Sequence, residues 1–437
     1  MHSTLELLAQ IAGMARGLPT KSMLIEGKPG NAEPGTAGHG LEALGIDEMD
    51  LIAMAIQHKV ARSALAGVGM LGIEISEKGR AALRMSAQAS ALRAALAARE
   101  AMTITQILAR QGIASAVIKG PAAALQLYGN LAAREFYDLD IVANIEEARE
   151  AIPLMRELGF ESDVRGPAKI AKKGGPARFN AGARPNPIAQ RPHHIVFFHP
   201  GKPFRVELHD RAGWGAEIFG NDDIDAVFAR IVMVGAAEAA GMSTGAVGNG
   251  TKLAGLASAA TRFPSLCPVD HAVLLINHGT RHAWCLLHWL LDATAILSCK
   301  DSAFQEDLGA KLVALNMSRQ IKVVCGLVRD LYPIEIPAPI KQIIDDEKKN
   351  LGGATRYARA RLKKGGRDLG KFSHALALPL LFQASLLKSP GQKARALFAP
   401  FKISEGDLKA FPLPGALSYL HLFARPFFVI ARRMTKK

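Results

Sequence analysis

Little in the sequence would staple the chain or anchor it in a bilayer. The four cysteines among 437 residues, Cys267, Cys285, Cys299 and Cys325, form no CxxC pair and no regular spacing, which argues against a disulfide framework or a cysteine zinc site. Reduced thiols in a cytoplasmic protein are expected. No stretch supplies the roughly 20 uninterrupted apolar residues of a spanning helix. ALALPLLFQASLL at 375–387 is short and contains Pro379, and FPLPGALSYLHLFARPFFVIARR from Phe411 is interrupted by Pro412, Pro414, His421, Arg425 and Pro426. That C-terminal tail is expected to pack on the protein or to touch a membrane surface peripherally. The opening MHSTLELLAQIAGMARG lacks the basic start, apolar run and cleavage site of a secretory signal. Acid is the scarce charge: 39 Asp and Glu face 54 Lys and Arg, for a net +15. Polyanions are therefore favoured partners, with nucleotides, nucleic acid and anionic membrane all eligible.

What is present suits a globular chain. Hydrophobic residues make up 49% and charged residues 21%, enough apolar surface for a large core, and the length predicts two or three lobes. Apolar residues at three-to-four spacing predict helices over 4–17 and 47–68, and an alanine-rich helix follows over 80–111. EGKPGNAEPGTAGHG between the first two reads as loop. The first hundred residues are expected to form a helical lobe. The pattern then changes: ASAVIKG at 114–120 reads as a buried strand and turn, PAAALQLYG as a helix, YDLDIVA as an alternating strand, and Ile145 to Leu158 as another helix. Residues 163–192 carry seven basic residues against Asp163 alone and form a basic insert that cannot bury a core. HIVFFH and FRVELHD around PGKP read as a hairpin. From about 222 onward helical patterns dominate. Three units are thus expected: a helical lobe over 1–100, a core over 101–222 and a helical lobe over 223–437 ending in the basic tail.

The chemistry gathers in the middle unit. The period of two in a strand puts Asp138 and Asp140 of YDLDIV on one face, with Leu139 and Ile141 on the other. Side-by-side carboxylates repel unless a cation or proton neutralises them, so the pair invites a hard divalent ion, magnesium or manganese. In FRVELHD, Arg205, Glu207 and His209 share a face, and Glu207 can supply a third carboxylate from a neighbouring strand. Lys119 and Gly120 end one strand and open the next helix, where a fixed cation and backbone N–H groups can meet phosphate. Arg134 is a second candidate phosphate ligand. His194 and His209 lie near this set, and His209 can orient Glu207 or help remove a proton from an acceptor hydroxyl. Alone, an Asp-x-Asp is usually a solvated strand end, and Lys-Gly usually a turn. Their ordered combination carries the argument. His271, His278, His282 and His288 have helical spacing, but without a metalloprotease glutamate they read as structural or substrate-lining groups. Trp284 and Trp289 read as core anchors.

KGPAAALQLYGNLAAREFYDLDIVA, then RPHHIVFF, FRVELHD and HGTRHAWCLLHWLLDATAIL, resembles an uncharacterised bacterial nucleotidyltransferase-like family of the DNA polymerase β-like superfamily. The resemblance runs from about residue 47 to the C-terminus. It implies an α+β fold, a polymerase β-like core of a small mixed sheet with helices, flanked by helical lobes. It also implies metal ligands at Asp138, Asp140 and Glu207, with Lys119 and Gly120 as the entry motif. Pro121 stands where the superfamily has a second small residue, which removes one N–H, and Tyr137 replaces the usual small residue before the first aspartate. The expected activity moves a nucleoside monophosphate from a triphosphate to a hydroxyl or phosphate on a small molecule, peptide or RNA. Three alternatives stay open: tailoring of a peptide or sugar phosphate, a toxin-like transfer to tRNA, and nucleotide binding without turnover.

Overall fold

Period-two apolar runs in the middle of the chain form one sheet, and three-to-four spacing before and after it forms the helices. The computed structural model describes residues 3–20, 39–41, 45–146, 148–162, 189–190, 194–211, 219, 224–235, 261–365, 372–398 and 403–404. The seven strands of the main sheet are β1 (Ser115–Val117), β2 (Asp138–Ala143), β3 (Glu161–Ser162), β4 (His194–Phe198), β5 (Arg205–Asp210), β6 (Val232–Gly235) and β7 (Arg262–Ser265), in the order β3-β4-β5-β2-β1-β7-β6. β5 runs parallel to β2, β4 and β5 form the expected antiparallel hairpin, and β1 pairs antiparallel with β2. The chain is thus a mixed α+β structure.

Helices occupy both ends. α1 (Thr4–Met14), α2 (Glu48–Gln57), α3 (Ala61–Met70) and α4 (Glu77–Arg110) precede the sheet, α5 (Gly120–Tyr128) and the short α6 (Ile152–Glu157) lie within it, and α7 (Ile224–Ala229) precedes β6. After it come α8 (Pro268–Arg281), α9 (Leu287–Leu297), α10 (Ser302–Ala314), α11 (Ser318–Leu331), α12 (Ala338–Asp346), α13 (Gly352–Lys363), α14 (Phe372–Leu386) and α15 (Pro390–Phe398). None of the described helices is long and apolar enough to cross a membrane.

The alternation of the strands divides the interior in two. Leu139, Ile141, Val206, Leu208, Ile195 and Phe197 pack on the Ala94–Leu108 half of α4. The opposite face carries Ala116 and Val142 into a second core built by α1–α3, α5 and α8–α14. The first helices therefore share a core with the last: Tyr332 donates its hydroxyl to the carbonyl of Ala9 at 3.1 Å. The expected division at residue 100 falls inside the continuous α4, and β6 and β7 bring into the sheet residues beyond 222.

Two predicted helices differ. The one over 47–68 breaks between α2 and α3, because Lys59 takes a left-handed conformation, φ 58°, which only a surrounding structure that fixes it maintains. Residues 148–157 form a 3-10 turn and the brief α6 rather than one long helix, since Pro153 suits only a first turn. The basic insert 163–192, apart from Ala189–Gln190, and the whole C-terminal tail from Phe411 lie outside the described residues, as does most of the loop over 26–40.

Candidate active site

The parallel pairing of β2 with β5 sets the register. Asp140 lies opposite Glu207, Asp138 opposite Arg205 and Val142 opposite His209. The hairpin extends each row, placing His194 beside His209 and Val196 beside Glu207. Since directly opposed residues share a face, Asp138, Asp140, Glu207, His209 and His194 all project from one side of the sheet. Apolar packing of the alternate residues, Leu139, Ile141, Val206 and Leu208, fixes that choice.

Asp140 is the centre. Its carboxylate is buried and accepts Lys119 Nζ at 2.7 Å and lies 3.3 Å from His209 Nε2. Lys119 reaches it because the Ile118 N–H bonds the Asp140 carbonyl at 3.1 Å, prolonging the β1–β2 ladder by one step. Burial works to raise the carboxyl's proton affinity, but the Lys119 charge and the hydrogen bond from His209 outweigh it and hold Asp140 well below the usual carboxylate range. Glu207 shifts the other way: burial, then the charges of Asp140 and Asp138, push it above its ordinary value. A cation relieves that strain, and one ligand atom from each of Asp140, Glu207 and His209 falls within 4.8 Å of the others. Two hard oxygens and an imidazole suit a divalent ion with positions left for water and phosphate. Asp138 shares the face, one row further out, and is half-buried.

Gly120 follows Lys119 with φ 50°, a left-handed conformation that favours glycine, and opens α5. Pro121 occupies the first turn of that helix, where its missing N–H has no intrahelical partner to lose. Arg134 departs from its expected role. It is buried and gives Nε to Asp292 Oδ2 at 2.8 Å, so this guanidinium has no open side for a triphosphate. Asp292 also accepts the Tyr128 hydroxyl at 2.9 Å, and Tyr128 in turn accepts from Arg16 at 2.9 Å, so the network locks α1, α5 and α9 together behind the site.

The helical lobe presents imidazoles near Lys119. His278 stacks edge-on to His282 and Trp289 with ring centres 4.7 and 5.1 Å apart, and His282 stacks on Trp289 at 5.0 Å. Burial, Lys119 and His282 hold His278 far below its ordinary value, and burial and Arg281 push His282 to about 4. Both shifts favour the neutral imidazole, and the metal-competent group among the described residues does not include these rings. Trp284 is a buried anchor, whereas Trp289 is only partly buried.

Sequence reasoning passed over Lys59. Burial lowers its ammonium, and the Asp138 charge opposes that shift; its Nζ lies 4.7 Å from the Tyr137 ring centre. The signal was the polar trio Gln57-His58-Lys59 interrupting an apolar helical period.

The chain matches the family model described as an uncharacterised nucleotidyltransferase over residues 45–333 of its 437. No curated protein and no solved structure matches it.

Proposed function

Because the chain belongs to the uncharacterised nucleotidyltransferase family, we propose that it transfers a nucleoside monophosphate from a nucleoside triphosphate to a hydroxyl or phosphate acceptor on the polymerase β-like plan. The acceptor oxygen attacks the α-phosphorus, the bond to the bridging oxygen breaks, and pyrophosphate leaves. Magnesium or manganese, held by Asp140 and Glu207 with Asp138 or His209 completing the set, would neutralise charge on the phosphates. Lys119 supplies a fixed positive charge on the triphosphate side, and the start of α5 at Gly120 adds backbone donors. His209, already hydrogen-bonded to Asp140, orients that carboxylate and is placed with His194 on the acceptor side. We place the reaction in the cytoplasm, where triphosphate and free magnesium are abundant.

The observation that carries this reading is the register that puts Asp140 opposite Glu207 with His209 within 4.8 Å. A screen of the four ribonucleoside triphosphates with magnesium or manganese, against pools of small-molecule, peptide and RNA acceptors and with pyrophosphate detection, tests it. Release is expected with at least one of them, and Glu207→Gln is expected to lower it by about 10³-fold, since metal positioning contributes several kcal/mol to such a transition state. Wild-type turnover retained by purified, folded Glu207→Gln rules the assignment out. The Lys119–Asp140 ion pair favours a second reading, nucleotide binding without turnover. Calorimetric triphosphate binding with no pyrophosphate under either metal would establish it.

A further inference from the structure

The acidic centre lies on a border. Toward β1, its face of the sheet is covered by the helical core, and Ala116 and Val142 are fully buried. Toward β4 the same face is open: the row Asp138–Arg205–Phe198–Glu161 carries a phenylalanine that is 42% exposed, and Arg205, His194 and the edge acid Glu161 are exposed too. In a phosphoryl-type displacement the attacking and leaving oxygens lie in line. A triphosphate held on the Lys119 side therefore receives its acceptor from the other side, across Glu207 and onto this open half.

At the end of the sheet where the β4–β5 turn meets α4, aromatic rings lie beside cations. Tyr137, next to Asp138, has Lys59 Nζ 4.7 Å and Arg93 Cζ 4.4 Å from its ring centre. Arg93 also donates to the carbonyl of Pro203 at 3.2 Å, so the ring and the β4–β5 turn hold these cations in place. A groove at that end runs from Tyr137, Lys202 and Phe204, on the α4 side, to Phe198 and Arg205 at the edge of the open half. Lys202 is occupied by Glu100. Arg205 and Lys59 have no ion pair among the described residues. They flank Asp138 with charge to offer, and the hairpin register, continued one step, sets Phe198 across from Arg205.

We propose that this open half of the sheet binds the acceptor, and that the acceptor is the end of a single-stranded polynucleotide, with Phe198 stacking a base and Arg205 and Lys59 contacting phosphates beside the acidic centre. The inference rests on the transfer reading for its direction of approach. Its chemistry comes from the surface: base faces are accessible only in an unpaired strand, and an exposed ring beside an arginine matches the repeat of base and phosphate. An acidic peptide would use the cations but leaves the exposed ring without a role.

Fluorescence anisotropy with a short labelled single-stranded oligonucleotide, as RNA and as DNA, in EDTA and without triphosphate, tests binding apart from turnover. Binding is expected to weaken steeply with salt. Phe198→Ala is expected to weaken it about 10-fold with the salt slope unchanged, and Phe198→Tyr to restore it. Arg205→Ala is expected to reduce the slope by about one. Both side chains are exposed, so the variants should fold, and circular dichroism verifies it. The tighter of the RNA and DNA arms identifies the strand type. The proposal is overturned if the oligonucleotide does not bind, if both alanine variants bind as wild type does, or if duplex binds as tightly as single strand. Pyrophosphate release that persists without oligonucleotide binding would remove the polynucleotide and leave the transferase. Binding that follows the expected pattern without pyrophosphate release would do the reverse.

Discussion

Asp140 and Glu207 face each other across one strand pair and respond to it in opposite ways. Lys119 and His209 satisfy Asp140, so its folded-state proton affinity is depressed; the stability it contributes is present above its unfolded value and is lost as pH falls through the folded one. Asp140→Asn is expected to destabilise the metal-free protein at pH 7 by about 1–3 kcal/mol, because Lys119 loses its carboxylate. Glu207 is raised, so its ionisation opposes folding at neutral pH and ceases to matter below the ordinary carboxylate range. Glu207→Gln is accordingly expected to raise the melting temperature at pH 7–8 without metal, with the gain vanishing as pH is lowered toward 4. Melting curves of both variants across that range check the two signs, and a gain that grows on acidification would contradict the account. Much at this scale could be read in the sequence, because a period of two leaves no freedom about which acids share a face. That Glu207 faces Asp140 rather than Asp138 was not readable. Pairing of β2 with β5 depends on a crossover whose register no local pattern fixes, and Arg134 looked like a ligand until the fold brought up Asp292, distant in sequence, to claim it.

At the scale of elements, two junctions hold the lobe against the sheet. Asp292 joins α9 to α1 and α5 through Arg134, Arg16 and Tyr128. Asp292→Ala leaves two buried guanidinium groups without their carboxylate, and a loss of about 3–5 kcal/mol is expected in urea unfolding. The second junction is the break between α8 and α9, where Ala283 and Trp284 take φ of 51° and 53°. A Cβ on Gly279 would lie 2.4 Å from the Trp284 ring, which is fully buried. Gly279→Ala is expected to cost about 1–3 kcal/mol by the same measurement. The helices themselves were visible as apolar periods, and the β4–β5 hairpin as two alternating runs around PGKP. The breaks at Lys59 and at Ala283-Trp284 were not, since left-handed residues other than glycine are set by packing that the local sequence does not encode.

For the whole molecule, α4 decides how the parts relate. Its 34 residues span about 50 Å at 1.5 Å per residue; Leu83 near its start lies in the core shared by the terminal helices, and Ala94 to Leu108 lie under the sheet. Composition predicted separate lobes, because a chain of this length usually divides, but composition does not show that one helix serves two cores. A single unfolding transition by calorimetry is expected, with the near-ultraviolet and far-ultraviolet signals coinciding. Magnesium with a bound triphosphate is expected to shift that transition upward as one, by about 2.7 kcal/mol at a hundredfold excess over Kd, and Asp140→Asn is expected to abolish the shift. A beam embedded in both halves ties one to the other. Access to the acidic centre is therefore expected through the loops and side chains at its margin.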